Sequence, residues 1–156
     1  AFEHFPSGLN LVLACRAKTA ADHQRKTRIE ERIKERGPNR IFLLGRIDWI
    51  GDLVSAARAQ LLPATDLTGK MDWPLVLLEG FAAGVPAVTA RHSPMADLSD
   101  PSLGVASADD ASEMASEVER VIRLGRDQAF DLYRRRFTPK RLADDYRRVY
   151  RSMGLM

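Results

Sequence analysis

In the stretch PLVLLEGFAAGVPAV, residues 74–88, one side chain ionises, Glu79. Pro74 suits the first turn of a helix and Gly84 its end, so the carboxylate falls mid-helix with apolar neighbours on every side. A lone carboxylate is costly to bury unless it is paired or hydrogen-bonded. Two chemistries satisfy it. One is structural, a bond from a nearby backbone amide, hydroxyl or arginine. The other is a ligand: two adjacent hydroxyls, as on a ribose, occupy both oxygens and discriminate strongly against molecules that lack them.

The elements around Glu79 decide what it can reach. LNLVLAC, residues 9–15, reads as a buried strand, and its lone cysteine Cys15 as a buried, inert thiol. Thr19 and Asp22 fit the start of a polar helix, with Ala21, Ile29 and Ile33 on one stripe and Gly37-Pro38 as its stop. RIFLL, residues 40–44, is a second strand closed by Gly45. A short helix spans residues 48–58, with Trp49, Leu53 and Ala57 on one face, and a brief strand covers 59–62. After the loop 64–73 come the Pro74 helix, a strand over 85–89, irregular chain over 92–100 and a short strand over 103–106. Asp109 or Asp110 caps a helix to Leu124 that carries Met114, Val118, Val121 and Ile122. Gly125 breaks it, a helix covers 128–136, and Thr138-Pro139 opens a closing helix over 138–153.

Strands alternating with helices predict an α/β domain, a parallel sheet flanked by helices with a helical tail. In open parallel sheets ligands sit beyond the C-terminal strand ends. The loop 64–73 leaves such an end and runs into the Pro74 helix, whose free N–H groups and dipole suit a phosphate. Glu79 then lies roughly 7 Å further along the axis.

The 156 residues suit one soluble domain, 45% hydrophobic and 29% charged, with no apolar run long enough for a membrane span. The N-terminus lacks both an initiator Met and a signal-peptide pattern, which predicts a chain beginning partway through a longer product. A single cysteine excludes an internal disulfide and a thiolate cluster, and fits a reducing cytoplasm. Charge is uneven: residues 1–119 hold 13 Lys/Arg against 17 Asp/Glu, and residues 120–156 hold 11 against 4. That basic third suits phosphates, a peripheral contact with acidic lipid heads, or an acidic partner, but solvated faces of terminal helices are the favoured reading. His4, His23 and His92 have no spacing for a shared metal, and His92 reads as a phosphate or sugar contact or as a plain loop residue. Dinucleotide, P-loop and nucleophile-elbow motifs are absent. Arg134, Arg135 and Arg136 lack the interleaved aromatics of a nucleic-acid site, so no nucleic-acid partner is expected, and Tyr133, Tyr146 and Tyr150 read as packing within the helical tail.

The run LVLLEGFAAGVPAVT, residues 75–89, resembles the signature of group 1 retaining glycosyltransferases of the GT-B fold. That signature is Leu-Leu-Glu-Ala-Met-Ala-x-Gly-x-Pro-Val-Val, matched by Glu79, Gly84 and Pro86. NLVLAC, IFLLGRI, LLP and the tail FTPKRLADDYRRVYRSM resemble the family's flanking elements in order, covering most of the chain. The resemblance implies the Rossmann-like C-terminal half of a GT-B enzyme, a single domain over 1–156. It implies a nucleotide diphosphate sugar as donor substrate, and neither metal nor cofactor. Glu79 matches the glutamate that binds the donor ribose. The family's other glutamate, which contacts the transferred sugar, falls on Met71, so Lys70 and Asp72 would supply those contacts. Trp73, Leu75 and Val76 match the backbone stretch facing the diphosphate, Gly45, Arg46 and Ile47 the turn near the base, and Arg16 a polar loop close to the donor. The family's opening strand, with its glycine-containing Arg/Lys loop, has no counterpart before Leu9. An acceptor-binding N-terminal domain is likewise expected elsewhere in the full-length protein, so the chain alone should lack catalysis, and no catalytic residue is named. Two rivals remain: a degenerate noncatalytic Rossmann-like binding module, favoured by Met71, and a receiver-like or nucleic-acid-binding α/β domain, which lacks the acidic pocket pattern of a receiver.

Overall fold

The alternation read from the sequence is present in the computed structural model, which describes residues 4–5, 7–36, 40–66 and 74–155. The chain divides into two compact units, 2–50 and 51–156. The single parallel sheet expected from the pattern is found as two parallel sets, one in each unit.

In the first unit, β1 (Leu11–Ala14) pairs in parallel with β2 (Ile41–Leu44), from Leu11 opposite Ile41 to Ala14 opposite Leu44. Between them runs α1 (Ala20–Arg36). Its start is a reciprocal cap. The Asp22 N–H donates to Thr19 Oγ1 at 3.1 Å, and the Thr19 N–H donates to Asp22 Oδ2 at 3.0 Å. The Gly37-Pro38 stop lies outside the described residues. Arg40 donates to the Ser7 and Leu9 carbonyls at 2.5 and 3.1 Å, fastening the preceding segment to β2.

No described residue of this unit is buried, which corrects two expectations, a buried strand over residues 9–15 and a buried thiol at its end. Cys15 is exposed. Ala21 and Ile29 are also exposed, and Ile33 is only half-buried. An apolar run states that a strand gains from cover; it does not supply the cover.

The second unit contains α2 (Ile50–Ala56, entering from the boundary), β3 (Gln60–Leu62), α3 (Leu75–Ala82), β4 (Ala87–Ala90), β5 (Val105–Ala108), α4 (Ala111–Leu124), α5 (Arg126–Arg136) and α6 (Pro139–Ser152). Trp49 lies before α2 and is exposed, so it shares no helix face with Leu53 and Ala57, which are half-buried. The strands lie in the order β3-β4-β5, all parallel. The connection from β4 to β5 uses two 3₁₀ turns, Pro94–Leu98 and Pro101–Leu103, in place of a helix.

Central β4 is buried along its whole length. Ala87 and Val105 join Leu77 and Phe81 of α3, Ala129 and Leu132 of α5, and Met95 and Leu98 in one core cluster. The alternate positions Val88 and Ala106 point to the opposite sheet face, where α4 packs with Ala115, Val118 and Val121 buried. Asp110 caps α4 by accepting from the Ser112 and Glu113 N–H groups, both at 2.8 Å. Thr138 caps α6 by accepting from the Arg141 N–H at 3.3 Å.

Candidate functional site

The helix α3 is eight residues long and one-sided. Leu77, Gly80 and Phe81 are buried, whereas Leu75, Val76 and Glu79, three and four residues apart, form its exposed face. Glu79 therefore carries no burial cost, which corrects the premise drawn from its apolar neighbours. Among the described residues its carboxylate has no hydrogen-bond or ion-pair partner, so the structural bond expected as one alternative is not made. No side chain caps the N-terminus of α3, leaving first-turn N–H groups available to a ligand. At the other end the chain turns sharply. Val85 N–H donates to the Gly80 carbonyl at 2.7 Å and Gly84 N–H to that of Phe81 at 3.0 Å, with Gly84 at φ 74°. This is a Schellman stop.

The signature's alanine after the glutamate is Gly80 here. The Gln60 side-chain amide fills the place of the missing methyl, and a Cβ on residue 80 would overlap it. Gln60 Nε2 sits 3.5 Å from the Leu77 and Val85 carbonyls, between the two ends of the Glu79 segment.

A cluster the sequence did not reveal occupies the C-terminal edge of β4 and β5. Arg91, the first residue after β4, donates to Asp109 at 2.5 Å, to the Ser107 carbonyl at 3.4 Å and to Glu113. His92 lies 3.4 Å from Asp109. Glu113 also accepts from the Asp109 N–H at 2.7 Å. Arg91 is thus matched by two carboxylates and is not a spare cation for a phosphate. Separations of 18 and 22 residues hide the group from any local pattern.

The backbone N–H of Asp109, and then Arg91, hold the Glu113 carboxyl below the usual glutamate range. The same pairing with Glu113 raises the Arg91 guanidinium, which stays charged throughout. A depressed carboxyl stabilises the fold fully above its unfolded value, about 4.3. That contribution fades as pH falls through the lower folded value. Thermal unfolding followed by circular dichroism should therefore show Glu113→Gln melting below the parent above about pH 5, with the gap narrowing below about pH 4. A gap independent of pH would remove Glu113 from the acid response.

In the first unit, the register of β1 and β2 brings Arg16 and Arg46 out at the same C-terminal edge, each two residues beyond its strand. Both are exposed. Arg46 lies 3.6 Å from Asp48, and Ile47 is half-buried. Lys70, Met71, Asp72 and Trp73 lie outside the described residues. Among the described residues no three His, Cys, Asp or Glu side chains converge as a metal site would. No described helix is long and apolar enough to cross a membrane.

No curated protein matches the chain. The crystal structure of Anabaena Alr3699/HepE in complex with UDP matches over 97% of this chain, with a TM-score of 0.71 and 16% sequence identity. The chain spans 42% of that structure's length. At this identity the likeness shows the fold, and it bears out the expected α/β, Rossmann-like arrangement of GT-B type with a helical tail. The family model described as glycosyl transferases group 1 matches residues 6–123, which include both strand sets, Glu79 and the Arg91 cluster. On that match the chain belongs to the group 1 glycosyltransferase family.

Proposed function

We propose that this chain is the donor-binding half of a glycosyltransferase. It holds a nucleotide diphosphate sugar while the sugar passes to an acceptor bound by an N-terminal domain of the full-length protein. The observation that supports this best is the unpartnered Glu79 carboxylate on the exposed face of α3, about one and a half turns from an uncapped helix start.

Glu79 accepts the two ribose hydroxyls. The backbone N–H groups of Leu75 and Val76, with Trp73, face the diphosphate, and the helix dipole favours its negative charge. The same fixed dipoles stabilise the charge that grows on the departing diphosphate during transfer. Lys70 and Asp72 contact the sugar in place of the family's glutamate. On the family resemblance alone, Arg16, Arg46 and Ile47 are assigned to the base. Retention of the anomeric configuration, a hexose as the transferred sugar and a cytoplasmic site of action rest on the family resemblance and on composition.

Calorimetric titration with UDP, GDP and ADP tests the reading. One nucleotide should bind, and Glu79→Ala should weaken it by about tenfold or more, the loss of hydrogen bonds to a charged group. UDP is the first to try, because the similar HepE structure holds it. Equal binding by parent and variant would remove Glu79 from the site. Met71, where the family carries a glutamate, favours a second reading, a donor-binding domain without turnover. Nucleotide binding by a full-length protein that consumes no nucleotide sugar would select it.

A further inference from the structure

Gly80 follows Glu79 directly, inside the eight-residue helix α3. A helix that short does not hold its own shape in water, and a glycine within it leaves the backbone looser than an alanine would. The carboxylate that must meet two hydroxyls therefore sits beside the weakest backbone link of α3.

What compensates comes from β3. Gln60 opens that strand opposite Ala87 of β4, and its backbone N–H donates to the Pro86 carbonyl at 2.8 Å. Its terminal amide lies where a methyl on residue 80 would be. From there Nε2 reaches the carbonyls of Leu77 and of Val85, just past the turn that closes the helix, both at 3.5 Å. At that length the two hydrogen bonds are weak, so the amide acts chiefly by filling space. Leu77 and Phe81 anchor the same inner face of α3, and Gln60 completes it at the one position that has no side chain. Where the signature's alanine brings its own methyl, this chain brings an amide from the neighbouring strand.

Glu79 lies on the far side of the same turn, so a roll of α3 about its axis swings the carboxylate sideways. A grip on two hydroxyls tolerates an error of only about 0.5 Å. Close packing against the inner face is what suppresses such a roll.

We infer that Gln60 is a positioning residue for the donor ribose: by filling the space beside Gly80 it sets the roll of α3, and with it the aim of Glu79, without touching the ligand. This inference rests on the reading of Glu79 as the ribose ligand.

Calorimetric titration with UDP and with 2′,3′-dideoxy-UDP tests it on three forms of the 156-residue chain, the parent, Gln60→Ala and Gln60→Ala/Gly80→Ala. Gln60 is only half-buried and its backbone bond to Pro86 is retained, so Gln60→Ala stays folded, which circular dichroism checks. The parent should prefer UDP. Gln60→Ala should lower that preference by about threefold or more, the loss from a misaimed hydrogen bond, while the dideoxy analogue binds as before. The double variant should return to within about twofold of the parent, because the added methyl fills the same space. A merely structural Gln60 would weaken both nucleotides alike and leave their ratio fixed, which overturns the inference, as does a lost preference that the methyl fails to restore.

Thermal unfolding supplies a readout without nucleotide. Gly80→Ala should raise the melting midpoint in the Gln60→Ala background and fail to raise it in the parent, where methyl and amide compete. Equal shifts in both backgrounds would also overturn the inference. A parent without a preference for UDP refutes the Glu79 reading and the inference together, whereas a preference that survives intact in Gln60→Ala refutes the inference alone.

Discussion

Phe81→Ala is expected to destabilise the second unit by about 3–5 kcal/mol, the usual loss for truncating a buried aromatic. Phe81 is fully buried on the inner face of α3. Its ring stacks on Phe137 at 6.3 Å between centroids. Around it sit Leu77, Met95, Leu98 and Leu132, contributed by α3, a 3₁₀ turn and α5. Walls drawn from so many elements cannot collapse together into the void, so the cavity penalty adds to the lost transfer energy. Against a typical domain stability of about 5–15 kcal/mol, this is a large share. Urea denaturation of parent and variant measures it. A loss below about 1 kcal/mol would mean that the α3–α5 packing described above is not the centre of the core. The effect bears on function as well. Phe81 and Glu79 occupy opposite sides of one short helix, and the ring's anchorage is what keeps Glu79 facing outward.

Gly84→Val is expected to cost about 2–5 kcal/mol, the sum of left-handed backbone strain and overpacking. Gly84 ends α3 at φ 74°, and a Cβ there would lie 3.0 Å from the Arg126 carbonyl oxygen and 3.2 Å from the Arg126 Cβ. Backbone and stem atoms cannot swing aside as a side-chain tip does. Arg126 is itself held in place, donating to the carbonyls of Ser55, Ala57 and Ala83 at 2.8, 3.3 and 2.6 Å. Gly80→Ala offers the contrast, because the three atoms nearest its Cβ all belong to the end of the Gln60 side chain. There the gain in helix propensity, about 1 kcal/mol, offsets much of the displacement. A denaturation series on both variants should place Gly84→Val well below Gly80→Ala; the reverse order would deny Gly84 its special role.

Local signals were legible wherever one side chain meets one backbone group. Thr19 with Asp22, Asp110, Thr138-Pro139 and Gly84 all sit where capping and stop chemistry put them. Element limits moved by one or two residues, as in α5, which starts at Arg126 instead of 128. Glu79 was recognisable from sequence as a lone charge, but for the wrong reason. Where every neighbour is apolar, periodicity carries no information about which side of the helix is buried, and packing against α5 decides it. Cys15 illustrates the same gap, since apolar patterning records a preference for cover without naming what provides it. The Arg91–Asp109–Glu113 group was out of reach for another reason. It forms only because β4 and β5 lie side by side, a pairing that no short window of sequence contains.

The central claim, that Glu79 grips the two hydroxyls of a donor ribose, is tested most directly by a calorimetric cycle. Parent chain and Glu79→Ala are each titrated with UDP and with its 2′,3′-dideoxy analogue. The account predicts that removing the hydroxyls and removing the carboxylate each weaken binding by about tenfold or more, and that doing both adds almost nothing further. Equal weakening of UDP and of the dideoxy analogue by Glu79→Ala would contradict it, because the carboxylate would then act on something other than the ribose.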